Sequence, residues 1–129
     1  MQWQLEGDRP IYQQLVDQIM MQIVSGQRKA GDKVPAVREL AAEAGVNPNT
    51  MQRAMAELER DGLVYSQRTS GRFVTEDETM IQQAKRGLAE RHIKTFVAAM
   101  VRLGFRREEM IALLRQETGE ENDHGSFDL

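Results

Sequence analysis

Val46-Asn47-Pro48-Asn49-Thr50-Met51-Gln52-Arg53-Ala54 is the stretch that decides how this 129-residue chain folds. Asparagine is a strong helix N-cap because its side-chain oxygen accepts an orphan N–H of the first turn, so Asn47 marks a helix start. Pro48 has its φ pre-set for the first helical position and brings no N–H that would go unpaired there. Met51, Ala54, Met55 and Leu58 then recur at spacings of three and four, which predicts one apolar face on a helix running to about Arg60 and ended by Asp61-Gly62. Upstream, Ala36 to about Ala44 predicts a short helix burying Val37, Leu40 and Ala41 and stopped by Gly45. A helix, a short turn with glycine and a capped helix are the sequence form of a helix-turn-helix.

The opposite face of the capped helix carries Asn49, Gln52, Arg53 and Ala56. Bases exposed in a major groove are read by Arg toward guanine and by Asn or Gln toward adenine, and the backbone must come close for them to reach. Asn, Gln and Arg beside a small Ala supply readers without bulk. A solvated helix face is the plainer explanation of the same residues. The capped turn before the helix and the basic hairpin after it favour the groove reader.

Working outward, Ile11, Leu15, Ile19 and Ile23, with Val16, Met20 and Val24 beside them, predict a first helix over Pro10–Val24, with Asp8 as N-cap, Pro10 in the first turn and Ser25-Gly26 as the stop. Trp3 and Tyr12 are expected to anchor the N-terminal arm to this helix, the alternative for Tyr12 being that it reaches DNA. Gln27–Pro35, holding Gly31 and Pro35, reads as a loop. Val64–Ser66 and Arg72–Thr75 read as two strands around the turn Arg68-Thr69-Ser70-Gly71. Arg68, Arg72 and the N–H groups around Gly71 are candidate phosphate contacts. Three helices and a hairpin make a winged helix-turn-helix, in a mainly α chain.

Taken together, Pro35-Ala36-Val37-Arg38-Glu39-Leu40-Ala41, Val46 through Ala54, and Leu58-Glu59-Arg60-Asp61-Gly62-Leu63-Val64 resemble the DNA-binding domain of GntR-family transcription regulators over residues 9–75. The Asn-Pro-Asn-Thr form and the short C-terminal part resemble the YtrA subfamily. The resemblance implies a sequence-specific regulator, usually a repressor, that binds a palindromic operator on double-stranded DNA as a homodimer. It also implies that Arg38 contacts DNA, that Asn47, Pro48, Asn49 and Thr50 form the turn and start of the recognition helix, that Gln52 takes a position often held by a DNA-contacting Arg, and that Gly71 is the wing glycine. Two positions depart from the family pattern. Ala36 stands where Ser often caps the second helix, and Asn47-Pro48 stands where Ser-Arg or Thr-Arg is frequent.

Residues 76–129 carry a different expectation. Thr75-Glu76-Asp77-Glu78 fits a capping box, and no breaker follows until Gly104, although Gly87 is a weak point. A second helix runs from Arg106 to about Thr118, stopped by Gly119. From Phe96 to Val101 the long helix is apolar all round, so it must be covered on more than one side. Charges dominate 82–94 and should hold this part away from the first domain, which points to a second copy of the chain. Leu88, Phe96, Val97, Met100, Val101 and Leu103 are the candidate dimerisation residues. The expected organisation is a winged domain over 1–75, a two-helix dimerisation segment over 76–118 and an acidic flexible tail over 119–129.

Composition narrows the field. The net charge is −3, with residues 1–75 neutral at nine Lys/Arg and nine Asp/Glu, so the acidity lies in the second part. A neutral domain can still present one basic face. No apolar run is long enough for a membrane span, no secretion signal heads the chain, and with no cysteine a cytoplasmic location is the expectation. His92 and His124 lie in separate regions and make a poor metal site, and no nucleophile pattern or phosphate loop supports an enzyme, so neither catalysis nor a cofactor is expected. About 54 residues after the wing leave no room for a separate ligand domain. An effector of unknown identity would have to sit in the dimer interface or between domains. The competing reading is a winged-helix module that docks a protein partner through its third helix and never touches DNA.

Overall fold

The computed structural model describes residues 3–119. Five helices and one hairpin follow in the order α1 (Ile11–Val24), α2 (Val37–Ala44), α3 (Pro48–Arg60), β1 (Val64–Gln67), β2 (Gly71–Val74), α4 (Glu78–Arg102) and α5 (Arg107–Thr118). The expected winged helix-turn-helix is present. The chain divides into two compact units at Leu88/Ala89.

In the first unit, α1, α2 and α3 converge on Leu15, Ile19, Leu40, Met51, Ala54, Met55 and Leu58, each fully excluded from solvent. The face of α3 expected to be buried is the face that is buried. Asn47 Oδ1 accepts the Asn49 N–H at 2.7 Å, and Pro48 follows at the first helical position. Gly45 ends α2 at φ 71°, a left-handed conformation that a side chain would strain, and so turns the chain into α3. Ala36, as its side chain dictates, offers α2 no cap.

Three local expectations change. Asp8 does not cap α1: Pro10 is the N-cap residue, and no side chain bonds the first turn. Gln14 instead takes the arm's backbone, accepting from Glu6 N at 2.6 Å and donating to the Glu6 and Arg9 carbonyls at 2.7 and 2.8 Å. Gln18 does the same one turn later with Gln4, and Gln22 accepts from Arg28 Nε at 2.6 Å. Gln14 and Gln18 fasten the arm and Gln22 the segment after the helix, with Trp3 and Leu5 packed against the core. At α4 the cap is Asp77, whose Oδ1 accepts from Thr79 and Met80 N–H, while Thr75 Oγ1 accepts from Asp77 N–H. Finally, 27–35 is not simply a loop. Lys33 pairs with Phe73, and Val34 N donates to Arg72 O while Val74 N donates to Asp32 O, both at 2.9 Å, adding a third short segment to the wing.

The hairpin register is Val64↔Val74, Tyr65↔Phe73, Ser66↔Arg72 and Gln67↔Gly71. Tyr65 and Phe73 stack across it at 5.8 Å. The first unit extends past the wing because Ile81 joins its core and Ala84 packs on it. Leu88, expected at a dimer interface, is 7% exposed and thus covered within the chain, which removes it from that role.

The second unit behaves otherwise. Gly104 stops α4, and Arg106 N donates to Glu109 Oε1 at 2.9 Å to start α5. Among its described residues none is buried, and Ile93, Phe96, Val97, Val101, Leu103, Ile111, Leu113 and Leu114 are all exposed. Positions 120–129, where an acidic tail with His124 is expected, lie outside the described residues. Among those described, no helix is long and apolar enough to cross a membrane.

Candidate nucleic-acid interface

The core contacts of α3 determine what its other face shows. With Met51, Ala54, Met55 and Leu58 inward, Asn49, Gln52 and Arg53 are exposed and Ala56 is half-buried, so three polar side chains stand clear of the domain. Thr50 is half-buried at the same end. The Asn47 carboxamide oxygen is committed to the cap, so this residue shapes the entry of the helix. Arg38 projects from the exposed side of α2.

Arg53 is held in a particular way. Its guanidinium carbon lies 3.7 Å from the centre of the Tyr12 ring, a cation–π contact joining the first turn of α1 to α3. Tyr12, expected to anchor the arm, lies against Arg53 of α3, while the Gln14 and Gln18 side chains hold the arm.

At the wing, Arg68 is exposed in the turn between the strands. Gly71 has φ 102°, and a Cβ there would come 3.3 Å from Lys33 Cε, so a side chain would meet both backbone strain and a neighbour. Arg72 is not the free cation that its place in the sequence suggests. Its Nε donates to Glu59 Oε1 at 3.1 Å, and Ser66 Oγ donates to the same oxygen at 2.9 Å. These two hydrogen bonds, Arg72 first, hold the Glu59 carboxyl below the usual glutamate range. The clamp ties the wing to the end of α3 through the Arg72 Nε–H, with the two Nη groups taking no part in that bond.

Lys33, by contrast, is exposed and was not a sequence candidate. With Val34, Pro35, Ala36, Val37, Ser70, Gly71 and Arg72 it lines a cleft of about 250 Å³ between the start of α2 and the wing. Its place follows from the Lys33–Phe73 bridge, which no local pattern announces. The cleft thus gathers Gly71 and Arg72 with Lys33, while Asn49, Gln52 and Arg53 form a separate group on α3. Of the expected dimerisation residues, Phe96, Val97, Val101 and Leu103 are exposed and Met100 is half-buried, all within the second unit.

Comparison with known proteins places this geometry. Residues 11–74 match the model for bacterial regulatory proteins of the gntR family. An uncharacterized HTH-type transcriptional regulator, YhcF of Bacillus subtilis (strain 168), is 40% identical over 108 residues, covering 84% of this chain and 89% of its own. The HTH-type transcriptional repressor YtrA of the same organism is 36% identical over 89 residues, 68% of each chain. A GntR family transcriptional regulator from Listeria monocytogenes superposes with a TM-score of 0.80 at 40% identity, over 87% of this chain and 98% of its own. The matched segment runs from α1 to β2, and the similarity continues beyond the wing: this chain belongs to the GntR family of DNA-binding transcription regulators, among its YtrA-like members.

Proposed function

We propose that this chain is a repressor that binds a palindromic operator as a homodimer in the cytoplasm. The observation that carries the dimer is the second unit, where Phe96, Val97, Val101 and Leu103 stay in water and no described residue is buried. Helices with this much uncovered apolar surface are stabilised by a partner. A second copy is the partner that also serves the DNA, because helix-turn-helix dimers read half-sites about 34 Å apart and operator symmetry mirrors protein symmetry. The name of YtrA as a repressor supports the direction of control.

In this reading Asn49, Gln52 and Arg53 meet base edges, and Thr50 sits at the groove entrance. Arg38, Arg68 and Lys33 meet phosphates, with Gly71 allowing the wing backbone to approach. Arg72 keeps the wing in place through Glu59. The neutral charge of residues 1–75 makes one domain a weak binder, and two linked domains gain through effective concentration.

The test is selection of duplexes from a randomised pool by the wild-type protein, followed by titration of the enriched duplex over a salt range. Enriched sequences are expected to be inverted repeats with half-site centres about one helical turn apart. Affinity should fall steeply with salt as neutralised phosphates release their counterions. Enrichment of no sequence, or binding indifferent to salt, overturns the reading in favour of a protein-docking module.

A further inference from the structure

We propose that Tyr12 is a specificity-positioning residue: its ring holds the Arg53 guanidinium by the face, so that the in-plane donors are presented ready-aligned to a guanine edge. This inference rests on the base-reading role proposed for Arg53.

Arg53 and Arg72 show the two ways of restraining an arginine. Arg72 is gripped by its edge, where Glu59 takes the Nε–H. Arg53 is gripped by its face. At 3.7 Å from the ring centre, an upright guanidinium would drive a nitrogen into the ring, so the group must lie close to flat on it. A flat guanidinium keeps its N–H bonds pointing outward in its own plane, away from the π cloud. Among the described residues no hydrogen bond or ion pair engages that group. Bidentate recognition of guanine O6 and N7 requires this planar pair of donors and leaves the guanidinium face unused, so one side chain can satisfy ring and base together.

The ring is itself well placed. Tyr12 lies in the first turn of α1, between the arm fastened by Gln14 and Gln18 and the buried Leu15 and Ile19 that pack the helix against α3. The ring therefore moves with the core. Arginine has many free torsions, and ordering them on binding costs affinity; a side chain already stacked in the unbound protein loses less. The restraint selects direction as well, since only a base pair with two acceptors in the plane of the held group is rewarded.

The experiment uses the full chain and the duplex enriched by wild type, with single base-pair variants covering one half-site. Arg53→Ala identifies the base pair read by Arg53, where wild type is expected to discriminate by about tenfold or more. Tyr12→Leu should lower the discrimination at that same pair to about twofold to threefold and leave the other positions unchanged, whereas Tyr12→Phe should retain it, since the ring supplies the face. In the Arg53→Ala background, Tyr12→Leu should add less than about twofold, because coupled residues are not additive. The free protein gives an independent readout. The Arg53 Nε–H proton should be displaced upfield by the ring current in wild type and Tyr12→Phe, and return toward its ordinary position in Tyr12→Leu. Uniform weakening on all duplexes, full additivity of the two substitutions, or an Arg53 resonance unchanged by Tyr12→Leu overturns the inference while leaving base reading by α3 intact. Failure of wild type to enrich any sequence overturns both.

Discussion

The two units of this chain put apolar side chains to opposite uses. Up to Leu88, residues at helical spacing close on one another, and Leu15, Ile19, Leu40, Met51 and Leu58 lose all contact with water. Beyond it, Phe96-Val97-Ala98-Ala99-Met100-Val101 is at least as apolar, yet Val101 is 56% exposed and Leu103 71%. Helix periodicity says which side of a helix seeks cover and is silent on whether the cover lies in the same chain. The first unit answers with three helices and a wing, enough to surround a core. The second has two helix segments, which have two backs and no inside. One unit is built to be stable, and the other, on the proposed reading, to assemble.

The sharpest way to break this contrast is Phe96→Glu. If a second copy covers this surface, the charge should give monomers by sedimentation and weaken binding to the enriched duplex by about 10²–10⁴-fold, the advantage that linking two modules supplies. A variant that remains dimeric with wild-type affinity would mean that the bare surface serves something else.

A matched pair of truncations sharpens it. Leu58→Ala removes a fully buried side chain and should cost the first unit about 2–5 kcal/mol in chemical unfolding. Leu103→Ala makes the same chemical change in the second unit and, at concentrations where the chain is monomeric, should stay within about 0.5 kcal/mol. Similar costs would show that the second unit has a core of its own.

The smallest effect is electrostatic and confined to the first unit. Glu59 titrates below its usual range because Arg72 and Ser66 donate to its ionised form. Its contribution is therefore complete above the ordinary carboxylate range and is lost as the pH falls through the lowered native value. With the Glu59 side chain 37% exposed, Glu59→Gln should cost no more than about 0.2–1 kcal/mol at neutral pH. The difference from wild type should vanish in acid, as followed by thermal unfolding across the pH range. A gap that persists at pH 2 would assign the clamp to packing instead of charge.

Much of the exposed face of α3 is legible in the sequence, because local rules govern it. A cap, a proline and a 3.6-residue period suffice to orient α3, and orienting α3 exposes Asn49, Gln52 and Arg53. The errors fall where a side chain had partners at a distance. Asp8 looked like a cap for α1, but Gln14 had already claimed the backbone of the arm. Arg72 has a partner that its local sequence does not announce, because the hairpin register sets it beside Ser66 and brings both against Glu59. Leu88 looked available for assembly and is covered inside its own chain.

From sequence alone, then, come the helices, the turn, the wing and which face of α3 is exposed, since each depends on bonds and sterics between residues a few positions apart. Tertiary structure decided that Arg72 bonds Glu59, that Lys33 joins the wing, and that Arg53 rests on Tyr12. Those outcomes depend on directional contacts between groups that meet only after the core has closed, and short-range pattern carries no record of them.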